Sequence, residues 1–558
     1  MADENKISAS QSVKSCCKFH WRGKVTVIVP LITLPILVFA YKKNAPAFRC
    51  LYLVVNMAIF WVTECIPLYL TAMLPVVFLP LFGILDSNAV CQLFFTDTLI
   101  MFLGGLFVAL GVEYSNLHQR IALGTILVVG CSPRRLHFGL SMVSCFISFW
   151  ISNSAATAMM CPIVKAILIE MDAQNAFQVY MTQEEERMEE GDPPHLSKVS
   201  MAFYFGVAYS STIGGTGTLI GTGTNLTFKG LYETRFPNLK EKVDFPKFIM
   251  YSMPFVSILN VLLVFLTLQI THMGLWRPKS DVAKQVKRGS ISKAATKLVL
   301  QERYSALGRW TCHEIQVGVV FVFMILLLFF QRPGFMKGWA DVLNTKQIGG
   351  ASPVLLTVIV MFALPTQYTF FRYCCKGPPF PGRSMDACLS WIFLHHNTPW
   401  GLCFLLGGGF ALAEGSKVSG MAKMLGDSLS FITVMPTAVI IAFIIVVSLF
   451  CTCFSANVAI CNILIPIFSE MAVTVKVHPL MLTLPAALAI SMSYHLPVST
   501  PPNAIICGYG YIKTKYLAVA GIFPTIWAFL IIFLNSISWA HVVYPTIKHF
   551  PAKQYLEK

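Results

Sequence analysis

Two short polar sequences interrupt long apolar stretches of the chain, and their residue types suit an anion. Ser152-Asn153-Ser154, the first tip, lies within residues 137–169, and Ala456-Asn457-Val458, the second tip, lies within 436–472. A helix that restarts after such an interruption presents free N–H groups and a positive dipole end, which favour a carboxylate. The asparagine amides can donate further hydrogen bonds to the carboxylate oxygens. The two tips therefore predict a site for a carboxylate anion.

Two further sequences have the residue types that coordinate a small cation. Gly221-Thr222-Gly223-Thr224-Asn225 interrupts the apolar stretch 200–230, the first broken span, and Ser499-Thr500-Pro501-Pro502-Asn503 interrupts 479–511, the second broken span. Gly and Pro break the helix there and expose backbone carbonyls beside hydroxyl and amide oxygens. Such oxygens can coordinate Na⁺, so each broken span predicts a cation site next to a tip.

The tips and the broken spans belong to an internal repeat. Ser148, about one helical turn before the first tip, corresponds to Thr452 before the second, and each can add a hydroxyl to its cation site. Upstream, Leu103-Gly104-Gly105-Leu106-Phe107 returns as Leu406-Gly407-Gly408-Gly409-Phe410. Matched blocks in one order predict two halves built on one template. Counting apolar spans between the copies gives the halves opposite orientations, the arrangement of many secondary transporters.

The composition places these sequences in a lipid bilayer. The 558 residues are 56% hydrophobic and 12% charged, which is more apolar side chain than a water-soluble domain can bury. We therefore predict an all-α polytopic membrane protein with eleven transmembrane helices and two re-entrant helical hairpins, residues 137–169 and 436–472. The predicted spans are residues 25–41, 50–68, 69–85, 97–117, 200–230, 249–271, 314–331, 353–371, 400–424, 479–511 and 516–546.

The charge distribution predicts how the chain lies in the membrane. The net charge is +16, but the positive residues flank apolar spans and do not form a soluble basic face, which argues against a nucleic-acid partner. Residues 273–313, the basic loop, and the N-terminus are predicted to lie on the cytoplasmic side of the plasma membrane. The C-terminus is predicted to be extracellular. The predicted segments are an N-terminal tail 1–24, a first membrane repeat 25–272, the basic loop 273–313, a second membrane repeat 314–547 and a C-terminal tail 548–558.

Other polar residues have two interpretations each. His495, inside the second broken span, could couple a proton to transport or could bind a free carbonyl structurally. Glu64 could be functional within its span or could stabilise helix packing. Cys16 and Cys17 precede the first span and could be acylated or remain free thiols. The 17 cysteines lack paired spacing, so neither a disulfide framework nor a zinc site is predicted.

The tips and the broken spans resemble the signatures of the divalent anion/sodium symporter family. This family includes the sodium-dicarboxylate and sodium-citrate cotransporters. The sequence Leu496-Pro497-Val498 before Ser499 is part of this resemblance. The resemblance implies a homodimer whose protomers each have a fixed scaffold domain and a transport domain that moves like an elevator, with no cofactor besides a coupling ion. The motifs closest to the insect INDY branch are Cys131-Ser132-Pro133-Arg134-Arg135-Leu136-His137-Phe138, Trp339-Ala340-Asp341 and Leu406-Gly407-Gly408-Gly409-Phe410-Ala411-Leu412-Ala413-Glu414-Gly415-Ser416.

The resemblance also assigns residues to sites. The first sodium site that it implies consists of Ser148, Ser152, Asn153, Gly221 and Asn225. The second consists of Thr452, Ser455, Asn457, Ser499, Thr500 and Asn503. The substrate carboxylates would lie among Ser152, Asn153, Ser154, Gly221, Asn457, Val458, Thr500 and Pro501.

The chain departs from the family pattern at the cation sites. Ala456 replaces the serine that commonly precedes the second asparagine, and Thr224 replaces a proline common in sodium-coupled members. With His495, these departures favour carboxylate exchange or proton-linked movement of citrate, succinate and related acids. Obligatory sodium coupling, sulfate transport, an anion channel and a role without transport stay open. An enzyme is disfavoured, because no nucleophile with its base, and no metal triad, appears in the broken segments.

Overall fold

The structure is a computed structural model that describes residues 19–39, 44–130, 132–173, 178–180, 196–239, 241–289, 293–333, 336–343, 348–368, 384–421, 424–425 and 435–551. In these ranges the regular secondary structure is helical, apart from the isolated β-bridges Tyr180–Leu196 and Pro365–Ala387. The candidate acylation sites Cys16 and Cys17, and most of the two tails, lie outside the described residues.

The first half of the chain contains the first tip and the first broken span. Its helices are α1 Trp21–Thr33, α2 Pro35–Phe39, α3 Ala45–Thr63, α4 Leu68–Thr71, α5 Leu74–Leu81, α6 Ser87–Gln92, α7 Asp97–Tyr114, α8 Leu117–Val129, α9 Pro133–Ser148, α10 Asn153–Ala173, α11 Lys198–Gly215, α12 Gly223–Arg235, α13 Phe245–Ser252 and α14 Asn260–Thr271. A 3₁₀ turn, Leu93–Phe95, precedes α7, and a π-helical segment, Met253–Leu259, joins α13 to α14.

The second half begins with the basic loop. Its helices are α15 Asp281–Gly289, α16 Lys293–Ala306, α17 Cys312–Phe329, α18 Trp339–Val342, α19 Ala351–Ala363, α20 Trp391–Asn397, α21 Gly401–Val418, α22 Thr437–Cys451, α23 Asn457–Val475, α24 Pro479–Ile490, α25 Pro501–Gly510, α26 Thr514–Ala520, α27 Ile522–Ile537 and α28 Ala540–Val543. A 3₁₀ turn, Pro545–Lys548, follows α28.

The described residues contain 8 helical segments long and apolar enough to cross a membrane. Two of them, Asn153–Ala173 and Asn457–Val475, are the second helices of the predicted hairpins. Shorter apolar helices account for other predicted spans, so the chain is a polytopic helical membrane protein and the count of eleven spans stays a prediction. The long segments are Trp21–Val38, Ala45–Thr63, Ser87–Tyr114, Asn153–Ala173, Phe245–Thr271, Cys312–Phe329, Asn457–Val475 and Thr514–Val543.

The two halves interlock around the tips. Within each half, the first helix of the hairpin packs along the first part of the broken span, α9 on α11 and α22 on α24. Across the halves, the second hairpin helix packs against the second part of the other half's broken span, α10 on α25 and α12 on α23. This exchange of partners packs the two hairpins and the two broken spans against one another.

The π-helical segment supports the break in the first broken span. Pro254 lies in this segment and cannot donate the backbone hydrogen bond of a regular helix. The Ser252 hydroxyl donates to the Thr216 carbonyl at 2.6 Å, and the Ser257 and Thr216 hydroxyls lie 3.2 Å apart. These side chains therefore satisfy polar groups that the break leaves inside the protein.

Glu64 lies at the end of a helix. The helix α3 ends at Thr63, and Glu64 adopts a left-handed conformation with φ of 49° and an exposed side chain. The predicted span 50–68 therefore extends past the end of this helix, and both interpretations of Glu64 stay predictions. Its backbone N–H donates to the Phe60 carbonyl at 2.9 Å and closes the last turn.

Candidate functional site

The first tip is a gap of a few residues between two helices. Helix α9 ends at Ser148 and α10 begins at Asn153. The Ser148 hydroxyl lies 2.9 Å from Asn153 Oδ1 and 2.6 Å from the Ser211 carbonyl oxygen. Because one hydroxyl has one proton, it can donate to only one of these oxygens at a time. The Ser148 hydroxyl therefore leaves one of these two oxygens without its proton at any moment.

The second tip repeats this arrangement. The Thr452 hydroxyl lies 2.8 Å from Asn457 Oδ1 and 2.6 Å from the Ile490 carbonyl oxygen. Asn457 Nδ2 donates a long hydrogen bond of 3.4 Å to the Ser491 carbonyl, whereas Asn153 Nδ2 has no partner among the described residues. Both asparagines are half-buried, so their amide donors lie within reach of a solute.

The first broken span is held by Asn225. Its Nδ2 donates to the carbonyls of Gly215 and Thr218 at 3.1 and 2.7 Å, across the gap between α11 and α12. The Thr218 hydroxyl in turn donates to the Phe149 carbonyl and accepts from Gly221 N at 3.0 Å. Asn225 is fully buried, and its Oδ1 has no hydrogen-bond partner among the described residues.

The second broken span is held by Asn503 in the same way. Its Nδ2 donates to the carbonyls of Ser493 and Leu496 at 3.3 and 3.2 Å. Asn503 is also fully buried, with no partner for its Oδ1 in the described parts of the chain. Each half therefore contains a buried amide oxygen without a donor, which is unfavourable unless a donor or a cation compensates it.

Carbonyl oxygens converge around Gly221. A Cβ atom at this position would lie 2.6 Å from the Gly215 oxygen and 3.1 Å from the oxygens of Ser148 and Phe149. Only a residue without a side chain leaves that space open. Backbone carbonyls and the unpaired Asn225 oxygen of the same broken span are the type of ligand that a dehydrated Na⁺ takes in proteins.

The predicted second cation site is more fully hydrogen-bonded. The Ser499 hydroxyl donates to the Leu496 carbonyl at 2.7 Å, and the Ser455 hydroxyl donates to the Trp61 carbonyl of α3 at 3.1 Å. Both residues, with Thr452, Thr500 and Asn503, are buried. The structure adds Ser493, whose buried hydroxyl has no partner among the described residues. Aligning the halves could have identified Ser493, because it occupies the position of Gly215.

Residues of the two halves meet beside the tips. A Cβ atom at Gly223 would lie 3.4 Å from Val458 Cγ2 and 3.7 Å from Phe102 Cε2. The Cys461 thiol contacts the Thr224 carbonyl at 3.7 Å. The start of α12 therefore touches the second tip, and Phe102 on α7, which the sequence analysis did not identify, packs against the start of α12. Pro501 at the start of α25 is exposed, and Ser152 and Ser154 are half-buried like Asn153.

His495 connects the second broken span to the last long helices. Its Nδ1 lies 2.9 Å from the Ala518 carbonyl oxygen, so this nitrogen carries a proton and donates. Its Nε2 lies 2.8 Å from the Thr525 hydroxyl, which also lies 2.9 Å from the Gly521 carbonyl. The neutral ring accepts from Thr525. A protonated ring donates to the Thr525 hydroxyl, which then donates its own hydrogen bond to the Gly521 carbonyl.

Comparison with known proteins agrees with this architecture. Residues 18–545 match the family model of the sodium:sulfate symporter transmembrane region. The chain is 50% identical to protein I'm not dead yet of Drosophila melanogaster, over 95% of this chain and 91% of the relative. It is 32% identical to the mouse Na⁺/citrate cotransporter, over 97% and 98% of the two chains.

A third relative extends the comparison to dicarboxylates by name. The human Na⁺/dicarboxylate cotransporter 3 is 32% identical to the chain, over 96% of this chain and 94% of the relative. These matches span nearly the whole chain and confirm the resemblance that the tips and broken spans suggested, including that to the INDY branch. The family and these relatives are transporters and not enzymes. The chain belongs to the family of membrane transporters defined by the sodium:sulfate symporter transmembrane region.

Proposed function

We propose that the chain is a secondary active transporter of citrate, succinate and related di- and tricarboxylates. The main support is the pair of half-buried asparagines, Asn153 and Asn457, each at the start of a helix and next to the broken span of its own half. Helix starts and amide donors suit carboxylate oxygens. The named substrates of the citrate and dicarboxylate relatives support the same choice of anion.

The proposed substrate site lies between the tips. Ser152, Asn153 and Ser154 would contact one end of the anion, and Asn457 and Val458 the other, with Gly221, Thr500 and Pro501 at its edges. Most of these side chains are accessible, whereas Asn225 and Asn503 behind them are fully buried. The anion would thus bind to the accessible side chains, and a cation would bind to the buried oxygens near Asn225 and Asn503.

We propose that Na⁺ binds in the first broken span. The Gly221 carbonyl cluster and the unpaired Asn225 oxygen support this, and Ser148, Ser152 and Asn153 are the neighbouring oxygen donors. Bound Na⁺ would neutralise part of the substrate's negative charge. In the second broken span, Thr452, Ser455, Asn457, Ser499, Thr500 and Asn503 are the corresponding donors. Cation-independent exchange is the second candidate mechanism, because Ala456 and Thr224 change residues next to these sites.

We also propose alternating access in a plasma-membrane homodimer, with the repeats 25–272 and 314–547 oppositely oriented. The two hairpins and the two broken spans would move together, because α9–α12 and α22–α25 pack into one interlocked unit. The 273–313 loop and the N-terminus would be cytoplasmic and the C-terminus extracellular. The nine Lys and Arg residues of the loop between Trp276 and Arg309 favour this orientation.

Replacing external Na⁺ by choline tests the coupling ion directly. Radiolabelled citrate and succinate uptake is measured in cells expressing the chain, against untransfected cells, at two pH values. We expect uptake well above the control with Na⁺ and at least about a tenfold loss in choline, since an empty carbonyl cluster leaves the substrate charge uncompensated. Full uptake in choline would instead establish exchange or proton-linked transport. Uptake equal to that of untransfected cells would contradict the proposed function.

Changing His495 to Met tests proton coupling. Uptake by the parent is measured at several pH values and is expected to depend on pH if His495 carries the coupled proton. His495→Met removes both hydrogen bonds to the 514–537 region and should flatten that profile at equal surface abundance. His396→Met, at an exposed histidine, is the matched control and should keep the parental profile. An unchanged profile in His495→Met would make His495 purely structural.

A further inference from the structure

A cavity of about 860 Å³ borders the first tip. On one side it is lined by Ile151 and Ala155, which directly flank Ser152 and Ser154, and by Met159 one turn further along α10. The opposite side is formed by the corner between α7 and α8 and by α16 of the basic loop. The cavity therefore lies between residues next to the first tip and a helix of the basic loop.

Helix α16 is firmly attached to α8. Leu300 is fully buried, and the Tyr304 ring lies 3.7 Å from where a Cβ atom of Gly124 would be. Just beyond α16, Arg120 of α8 donates to the carbonyls of residues 307 and 308, at 3.0 Å each, and pairs with Glu314 at 2.9 Å. This pair is almost fully buried, so the wall of the cavity formed by α16 has a fixed position.

Four titratable side chains line this cavity, and one of them is the Tyr114 phenol of α7. Arg303 comes from α16, Glu113 from α7 and His118 from α8, while the lining residues of α9 and α10 are uncharged. His118 Nδ1 already contacts the Val112 carbonyl at 3.1 Å. The side chains of Arg303 and Glu113 have no ion pair or hydrogen bond within the described residues. The guanidinium of Arg303 is thus available to a solute. The Glu113 carboxylate has the opposite charge and lines the same cavity.

We propose that this cavity is a vestibule that admits the carboxylate substrate to the first tip from the side of the basic loop, with Arg303 as the positioning residue that concentrates the anion there. The inference rests on the proposed function, because it takes the substrate to be anionic. A cation in a cleft with low-dielectric walls raises the local concentration of anions and their rate of entry. Glu113 has the opposite effect and keeps the vestibule from retaining the substrate.

The charge of the vestibule can be measured without transport. In the full-length chain, Ala306→Cys places a thiol on the cavity wall, and an anionic sulfonatoethyl and a cationic trimethylammonioethyl methanethiosulfonate report the local potential. When the reagents are applied from the loop side, we expect Arg303→Gln to lower the anionic-to-cationic rate ratio about threefold and Glu113→Gln to raise it. The chain without the new cysteine gives the background from native thiols. An unreactive thiol in the Ala306→Cys chain, or a ratio that Arg303→Gln leaves unchanged, would overturn the proposal.

Substrate entry gives the second measurement. In inside-out and right-side-out vesicles, Arg303→Gln should raise the citrate KM from the loop side about threefold, with an unchanged maximal rate and an unchanged KM from the other side. Arg303→Lys should keep the parental KM, and the difference should shrink at high salt. Equal KM changes on both sides, or a loss of maximal rate alone, would refute the role of Arg303. If the parent carries no carboxylate, the proposed function fails, while the thiol ratios still test the vestibule.

Discussion

Asn153→Ala and Asn457→Ala are each expected to lower citrate uptake at least about tenfold while surface abundance stays at the parental level. Each change deletes an amide donor to a charged oxygen, an interaction of about 1.5–3 kcal/mol, or roughly ten- to a hundredfold in a binding constant. Each also frees Ser148 or Thr452, which then donates to its second acceptor, the Ser211 or the Ile490 carbonyl. Radiotracer uptake below the parental KM and surface biotinylation measure the two quantities.

The matched control for these variants is Asn397→Ala. Asn397 lies at an exposed helix end and donates to the Phe393 carbonyl at 2.8 Å, far in sequence from both tips. The Asn397→Ala variant should take up citrate at the parental rate. Parental uptake in both tip variants would show that the substrate is bound elsewhere. Loss in one variant alone would mean that the anion contacts a single tip.

Gly221→Ala is expected to abolish Na⁺-dependent uptake. The added methyl would lie 2.6 Å from the Gly215 carbonyl oxygen and 3.1 Å from the oxygens of Ser148 and Phe149. Because all three are backbone atoms, they cannot turn away as a side chain could. We expect no measurable Na⁺ stimulation of uptake at any concentration that the cells tolerate.

Gly508→Ala is the control for adding a methyl to a glycine. A Cβ atom at Gly508 meets nothing within 4 Å, and the residue lies in α25, where alanine favours the helix. Its uptake and its thermal stability should match or exceed those of the parent. Thermal stability of purified Gly221→Ala separates a lost cation site from a misfolded protein. Na⁺ stimulation in a stable Gly221→Ala chain would contradict the proposed cation site.

The sequence locates the tips because their residue types conflict with their surroundings. An Asn within apolar residues, or a Gly and Pro cluster within a span, has no favourable place in a continuous membrane helix. The chain accordingly stops one helix and starts another at Ser148 and Asn153, and again at Cys451 and Asn457. The repeat strengthened each assignment, since an accidental feature of one half would not recur in the other.

The sequence does not show which helix of one half packs against which helix of the other half. The apolar faces of α10 and α23 are chemically alike, so their pattern does not say that α10 packs on α25 and α23 on α12. Phe102 was not predicted because it matters through a contact with Gly223, which is distant in sequence, whereas an alignment of the two broken spans would have found Ser493. The predicted span 50–68 extended too far because hydropathy alone did not show that α3 ends at Thr63.

Because the helices of the first half pack against helices of the second half, the first half must remain without these partners during part of synthesis. Helices α10 and α12 are made well before α25 and α23, the helices that cover them. Roughly 280 residues separate Asn225 from Asn503, so at about 5–20 residues per second the first half spends on the order of 15–55 seconds without its counterpart. Its unpaired polar groups must meanwhile be shielded by lipid headgroups, water or the insertion machinery. A ribosome that pauses within this interval prolongs the exposure, and degradation of the nascent chain then competes with its completion.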